Sequence, residues 1–140
     1  MQLTRFTDVS LRVLRHLARL SPQEHATTQE IAARYNVPYN HLSKAVHHLS
    51  KAGWIVPHRG RRHPPGGEPR ELRVGEVVRS TEPPGDVIDC FTQASPLKYA
   101  LNEAQGAFYA KLDEYTLADV AGEGTLILET RAASPVALGG

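Results

Sequence analysis

Three residues, Asn36-Val37-Pro38, separate two short amphipathic stretches, and no other feature of the chain constrains its fold as tightly. Before the turn, Thr27 and Glu30 stand at capping-box spacing and open a helix through Ile31, Ala32 and Tyr35. After it, Pro38 suits the first turn of a helix that runs to about Ala52. Leu42, Ala45, Val46 and Leu49 form the apolar stripe of that helix, and Gly53 is its stop. Two helices joined by so short a turn make a helix-turn-helix.

The flanks agree with this core pattern. Phe6-Thr7-Asp8 announces an earlier helix, with Thr7 as cap, Asp8 at the positive end of the dipole and Phe6 stapled onto Leu11. Leu11, Leu14, Leu17 and Ala18 recur at helical spacing while Arg12, Arg15 and Arg19 face away, and Ser21-Pro22 ends the run. After Gly53, Trp54-Ile55-Val56 reads as a strand, 57–69 as a loop rich in Arg, Pro and Gly, and Leu72-Arg73-Val74 as the returning strand. A short helix follows around Glu76–Arg79, then a linker over Thr81–Asp86. Ser95 caps a second long helix with Pro96 in its first position, and Leu97, Leu101, Ala104, Phe108, Leu112 and Tyr115 lie along one side of it. Leu117–Val120 forms a last turn, and the end of the chain frays.

The expected fold is therefore mainly α: a winged helix-turn-helix over residues 1–80 with a small β-hairpin wing, a linker and loop over 81–94, a dimerisation helix region over 95–122 and a tail over 123–140. A non-binding module of three short helices and a hairpin gives the same element order, and the surface chemistry has to separate the two.

That surface is uneven in charge. The net charge of +1 hides 13 Lys/Arg against 6 Asp/Glu in residues 1–80, and 3 against 9 in residues 81–140. A basic half fits a polyanion, and an acidic half some other task. Opposite the apolar stripe of the third helix stand Asn40, Lys44, His47 and Lys51, flanked by Ser43 and His48, with Tyr39 and His41 at the helix start and Thr28 opening the helix before it. Asn pairs with adenine in a major groove, and Lys contacts guanine or phosphate. A solvated face has the same composition. Its place on the second helix of the pair favours DNA. In the loop, Arg59, Arg61 and Arg62 suit phosphates or a narrow minor groove.

Other classes fare worse. The 140 residues hold no apolar run longer than a few residues and no h-region near the start, so neither a membrane span nor a signal peptide is expected. The single Cys90 excludes an internal disulfide and fits a cytoplasmic protein. His41 and His48 lie about 10 Å apart along one helix, too far for one metal ion. No nucleophile elbow, phosphate loop or paired carboxylates are present, so no enzyme is expected.

Several segments resemble the NsrR/IscR (Rrf-two) family of bacterial regulators. They are Met1–Asp8 with Leu11-Arg12, Ile31-Ala32, Tyr39–Lys44, Leu49–Trp54, Arg59-Gly60, Val74–Val78, Ala107–Tyr109 and Leu112–Val120, in collinear order over roughly residues 1–122. The last two look most like the NsrR branch. The resemblance implies a dimeric winged-helix repressor acting on double-stranded DNA at a palindromic operator, with the long helix pairing between subunits. It also implies an iron–sulfur cluster on three loop cysteines, with Cys90 matching the first and Asp8 matching a fourth ligand supplied across the dimer. Here the chain departs from the family. Phe91–Lys98 brings no further cysteine, and Arg61–Pro65 is inserted between the glycines of the wing. No cofactor is therefore expected, and a relative that has lost cluster sensing, responding to a thiol signal, a ligand or a partner, is the alternative.

Overall fold

The computed structural model describes residues 2–20, 24, 26–58, 61–63, 71–87 and 95–122, with 56–58 and 61–63 through their backbone. The elements are α1 (Arg5–Ala18), α2 (Thr28–Tyr35), α3 (Tyr39–Lys51), β1 (Val56–His58), β2 (Arg61–His63), α4 (Val74–Thr81), α5 (Pro96–Leu112) and α6 (Leu117–Ala121).

The helix-turn-helix forms as its spacing predicts. Thr27 and Glu30 close a complete capping box, each side chain accepting the other's backbone N–H. Asn36 takes left-handed dihedrals (φ 51°, ψ 47°) to end α2, a conformation asparagine tolerates better than most residues. Val37 N–H then donates to Ala32 O at 3.0 Å, and α3 starts after Pro38, whose carbonyl accepts from His41 and Leu42. Leu42, Ala45 and Leu49 are fully buried and Val46 nearly so. They meet Leu14 of α1, Ile31 of α2 and Ile55 in one core, which α6 completes with Leu117 and Ala121. Each large aliphatic side chain buried there contributes about 1.5–3 kcal/mol.

Three sequence expectations need correction. Thr4, not Thr7, caps α1: its backbone is extended (φ −65°, ψ 156°) and its hydroxyl accepts from Thr7 N–H. Thr7 lies inside the first turn, fully buried, and its hydroxyl donates to Glu82 Oε1 at 2.6 Å. Phe6 is likewise within the helix, so it is not the residue ahead of a cap that a staple requires; its ring meets His48 edge-on.

The wing strands lie mostly inside the segment read as loop, with only Val56 of β1 falling in the expected strand. Val56 pairs with His63 and His58 with Arg61, antiparallel. Ile55 dives into the core ahead of β1 instead of pairing. The expected returning strand over Leu72–Val74 does not form. Arg73 alone is extended, in an isolated bridge with Thr116, and Val74 already opens α4. Leu117 N–H donates to Leu72 O and Val74 N–H to Tyr115 O, both at 2.9 Å. Local pattern suggested a strand here and could not reveal that the segment serves as the cap of α4 and pairs with a distant one.

The third correction concerns α5. Ser95 caps it and Pro96 opens it as expected. No residue of α5 is buried by its own chain, and Tyr115 lies beyond its end. Its polar edge makes the intramolecular contacts. Lys98 and Asn102 reach Asp86 at 2.6 and 2.9 Å, and Asp113 accepts both guanidinium nitrogens of Arg79 at 2.8 and 2.6 Å. Arg79 also lies over the Tyr109 ring. Gly75 lets α4 approach this closely, since a Cβ there would come within 2.9 Å of Tyr109 O. Among the described residues no helix is long and apolar enough to cross a membrane. The expected sensor loop around Cys90 and the tail over 123–140 lie outside the described residues.

Candidate nucleic-acid interface

Burying one side of α3 fixes what the other side presents. With Leu42, Ala45, Val46 and Leu49 turned inward, Asn40, His41, Lys44, His47 and Lys51 are exposed, and Tyr39 is 54% exposed despite its ring. Ser43 is half-buried. None of the four ion pairs resolved in the described residues uses Lys44 or Lys51. The structure therefore gathers Tyr39, Asn40, His41, Ser43, Lys44, His47 and Lys51 on one helix. Thr28, at the start of α2, stands apart because its side chain is almost completely covered. Arg61 and Arg62 lie on β2, opposite His58 and Pro57 in register, while Arg59 lies outside the described residues.

His48 has an internal task. Its Nε2 and the Ser80 hydroxyl are 2.8 Å apart, and its ring meets Phe6. It thus ties α3 to both α4 and α1. Sequence spacing placed His48 beside the exposed face and could not show this partner, because Ser80 is 32 positions away.

Between α1 and α3 runs a groove of about 580 Å³ lined by Phe6, Ser43, Lys44, His47, His48 and Lys51. It adjoins a smaller cavity of about 210 Å³ lined by Arg5, Phe6, Val9, His41 and Lys44. Arg5 and Phe6 were not singled out from sequence as surface chemistry. No sequence signal marked Arg5, because a cap at Thr7 leaves it ahead of the helix; in the structure it is the first residue of α1, where the dipole disfavours a cation.

On α5, the predicted stripe stays open. Leu97 is 55% exposed and Tyr99 71%, Ala104 is exposed, and Leu101, Phe108 and Leu112 are half-covered.

The donors available for a metal were tested directly. Asp8 accepts Arg12 Nε through both carboxylate oxygens at 3.0 Å, so its carboxylate is already engaged. Cys90 is the chain's one thiol and lies outside the described residues. Among the described residues no group of three His, Cys, Asp or Glu side chains is placed to hold an ion. An iron–sulfur cluster takes four ligands, mostly thiolates, and this donor set does not fit one.

Comparison with known proteins bears on most of the chain. The Rrf2 family, described as "Iron-dependent Transcriptional regulator", matches residues 3–123. The HTH-type transcriptional regulator NsrR of Bacillus subtilis (strain 168) is 40% identical over 135 residues, covering 86% of this chain and 90% of the relative. The regulator of the same name from Geobacillus kaustophilus is 40% identical over 134 residues, covering 86% and 89%. Among solved structures, CymR (YrzC), the global cysteine regulator of B. subtilis, superposes with a TM-score of 0.72 at 24% identity, covering 86% of this chain and 96% of its own. T. potens IscR gives 0.69 at 22% identity, covering 86% and 85%. The fold is that of these winged-helix regulators.

Proposed function

Because the chain belongs to the Rrf2 family of transcriptional regulators, we propose that it is a homodimeric, sequence-specific repressor that places α3 in the major groove of a palindromic promoter operator. One observation carries this reading: the side of α3 opposite its buried stripe is exposed and presents Asn40, Lys44, His47 and Lys51 together. Asn40 and Lys44 read base edges, with Tyr39, His41 and Ser43 beside them. Thr28, the least accessible of the set, meets the backbone at the start of α2. Arg59, Arg61 and Arg62 of the wing contact phosphates or the adjacent minor groove. The family's known chemistry lies in DNA recognition, and no enzymatic step is assigned.

Dimerisation runs through the open side of α5, where Leu97, Leu101, Ala104, Phe108 and Leu112 meet their copies about a two-fold axis, with Tyr115 at the margin. The repressor acts in the cytoplasm and without an iron–sulfur cluster, since Cys90 and Asp8 alone do not complete a ligand set. A partner-binding adaptor that uses the acidic half loses support from the ion pairs of Asp86 and Asp113, which are satisfied within the chain.

A gel shift tests the reading. The protein is expected to retard a palindromic, AT-rich promoter fragment in preference to a scrambled duplex. Asn40→Ala should narrow that preference by about 1–3 kcal/mol, the worth of a bidentate base contact. Equal binding of both duplexes, unchanged by Asn40→Ala, would remove the recognition-helix assignment.

A further inference from the structure

We propose that the cleft between the start of α1 and the α1-facing flank of α3 seats one sugar–phosphate unit of a DNA strand, with Arg5 pairing its phosphate. This rests on the reading of α3 as the recognition helix. Arg5 is the first residue of α1, where a cation opposes the positive end of the helix dipole. Helix stability gives no reason for it there. It takes part in no ion pair among the described residues, and it lines the cavity of about 210 Å³ together with Phe6, Val9, His41 and Lys44.

The chemistry of that cavity is two-sided. Its floor is apolar: Val9 is 2% exposed and Phe6 packs on the core. Its rim carries Arg5, Lys44 and His41, and no carboxylate lines it among the described residues. The carboxylates that neighbour the start of α1 are engaged elsewhere: Glu82 accepts from Thr4 and Thr7, and Asp8, three residues along α1, pairs with Arg12. An apolar floor beneath two exposed cations complements a deoxyribose and its phosphate, the unit that backbone contacts recognise without regard to sequence.

Position agrees with chemistry. The cavity shares Phe6 and Lys44 with the groove along Ser43, His47 and Lys51. With the exposed side of α3 in a major groove, one wall of that groove is a backbone strand passing on the α1 side. His41 marks this flank, one step round the helix from Lys44.

The test measures binding of the full chain to the promoter fragment and to the scrambled duplex between about 50 and 200 mM salt. Wild type, Arg5→Gln, Arg5→Lys and Lys44→Ala are compared. Arg5→Gln is expected to reduce the slope of log K against log salt by about 0.9 and to weaken both duplexes alike, on the order of five- to tenfold near 0.1 M salt. Arg5→Lys should keep the slope, and the melting temperature of Arg5→Gln should be no lower than wild type. An unchanged slope, a loss confined to the promoter fragment, or a loss that tracks a lower melting temperature each overturns the proposal. If Lys44→Ala weakens binding while Arg5→Gln does not, the cleft assignment alone fails. If wild type shifts neither duplex, the recognition-helix reading fails with it.

Discussion

One carboxylate oxygen ties the start of α1 to the end of α4. Glu82 Oε1 accepts from Thr4 N–H at 2.7 Å, from the Thr4 hydroxyl at 2.9 Å and from the Thr7 hydroxyl at 2.6 Å. Burial works to raise the pKa of this carboxyl, but the Thr7 and Thr4 hydrogen bonds outweigh it and hold the group below the usual carboxylate range. A carboxyl whose pKa is depressed by folding stabilises the native state above its unfolded-state pKa, and that contribution is lost as pH falls through the folded value. Glu82→Gln is therefore expected to lower stability at pH 7 by about 1–2 kcal/mol, the low end for hydrogen bonds to a part-buried charge. The gap from wild type should close as the pH drops below about 4. Urea unfolding at several pH values measures this, and a gap independent of pH would show that the charge is irrelevant. None of it was legible in the sequence, where Glu82 stands in a Pro-rich linker 75 positions from Thr7. Thr7 looked like a cap because capping residues and buried hydroxyls use the same side chains. By contrast, the exposed residues of α3 were legible, because helical periodicity fixes which positions oppose a buried stripe.

At the scale of elements, what could be read depended on whether an element's partner was local. α2, α3 and the turn between them follow from capping and spacing alone. The hairpin wing was expected but its strands were not located: β1 and β2 are three residues each in a segment whose Arg, Pro and Gly content hides any alternation. α5 was legible as a helix, and its own chain uses a different edge from the apolar one. Asn102, Tyr109 and Asp113 face Asp86 and Arg79, while Leu97, Leu101, Ala104 and Phe108 turn elsewhere. A monomer would leave those apolar side chains exposed or only half-covered along a helix of 17 residues. A helix that buries none of its residues within the chain gains most of its stability from a partner. Phe108→Asp should therefore give a monomer at micromolar concentration, with weakened binding to the promoter fragment, because two half-sites are no longer held at a fixed spacing. Sedimentation velocity decides it. A wild-type chain that already sediments as a monomer would contradict the dimer.

For the whole molecule, the charge asymmetry takes on a physical role. Part of the acidic half neutralises the basic half at the α4–α5 junction, where Asp113 binds Arg79, and anchors the start of α1 through Glu82. Arg5, Lys44 and Lys51, three of the cations that the ion pairs among the described residues leave uncommitted, lie around the α1–α3 groove. On the proposed reading this face carries recognition, and the next question is what signal the regulator answers to. Iron is the family's description, yet a cluster needs four ligands, mostly thiolates. Each chain brings one cysteine, and the carboxylate that the family resemblance pairs with it, Asp8, is chelated by Arg12. Releasing Asp8 would break an exposed i,i+4 ion pair worth about 0.3–0.5 kcal/mol, a small obstacle. The missing thiolates are the larger one, since nothing else in the described residues is grouped to replace them. Protein purified without oxygen is therefore expected to be colourless, to contain no stoichiometric iron or sulfide, and to bind the promoter fragment in the presence of a chelator. Cys90→Ser should bind that fragment as wild type does. A brown preparation whose iron, sulfide and visible absorption disappear in Cys90→Ser would show that ligands from outside this set complete a cluster, and the signal would then be iron after all.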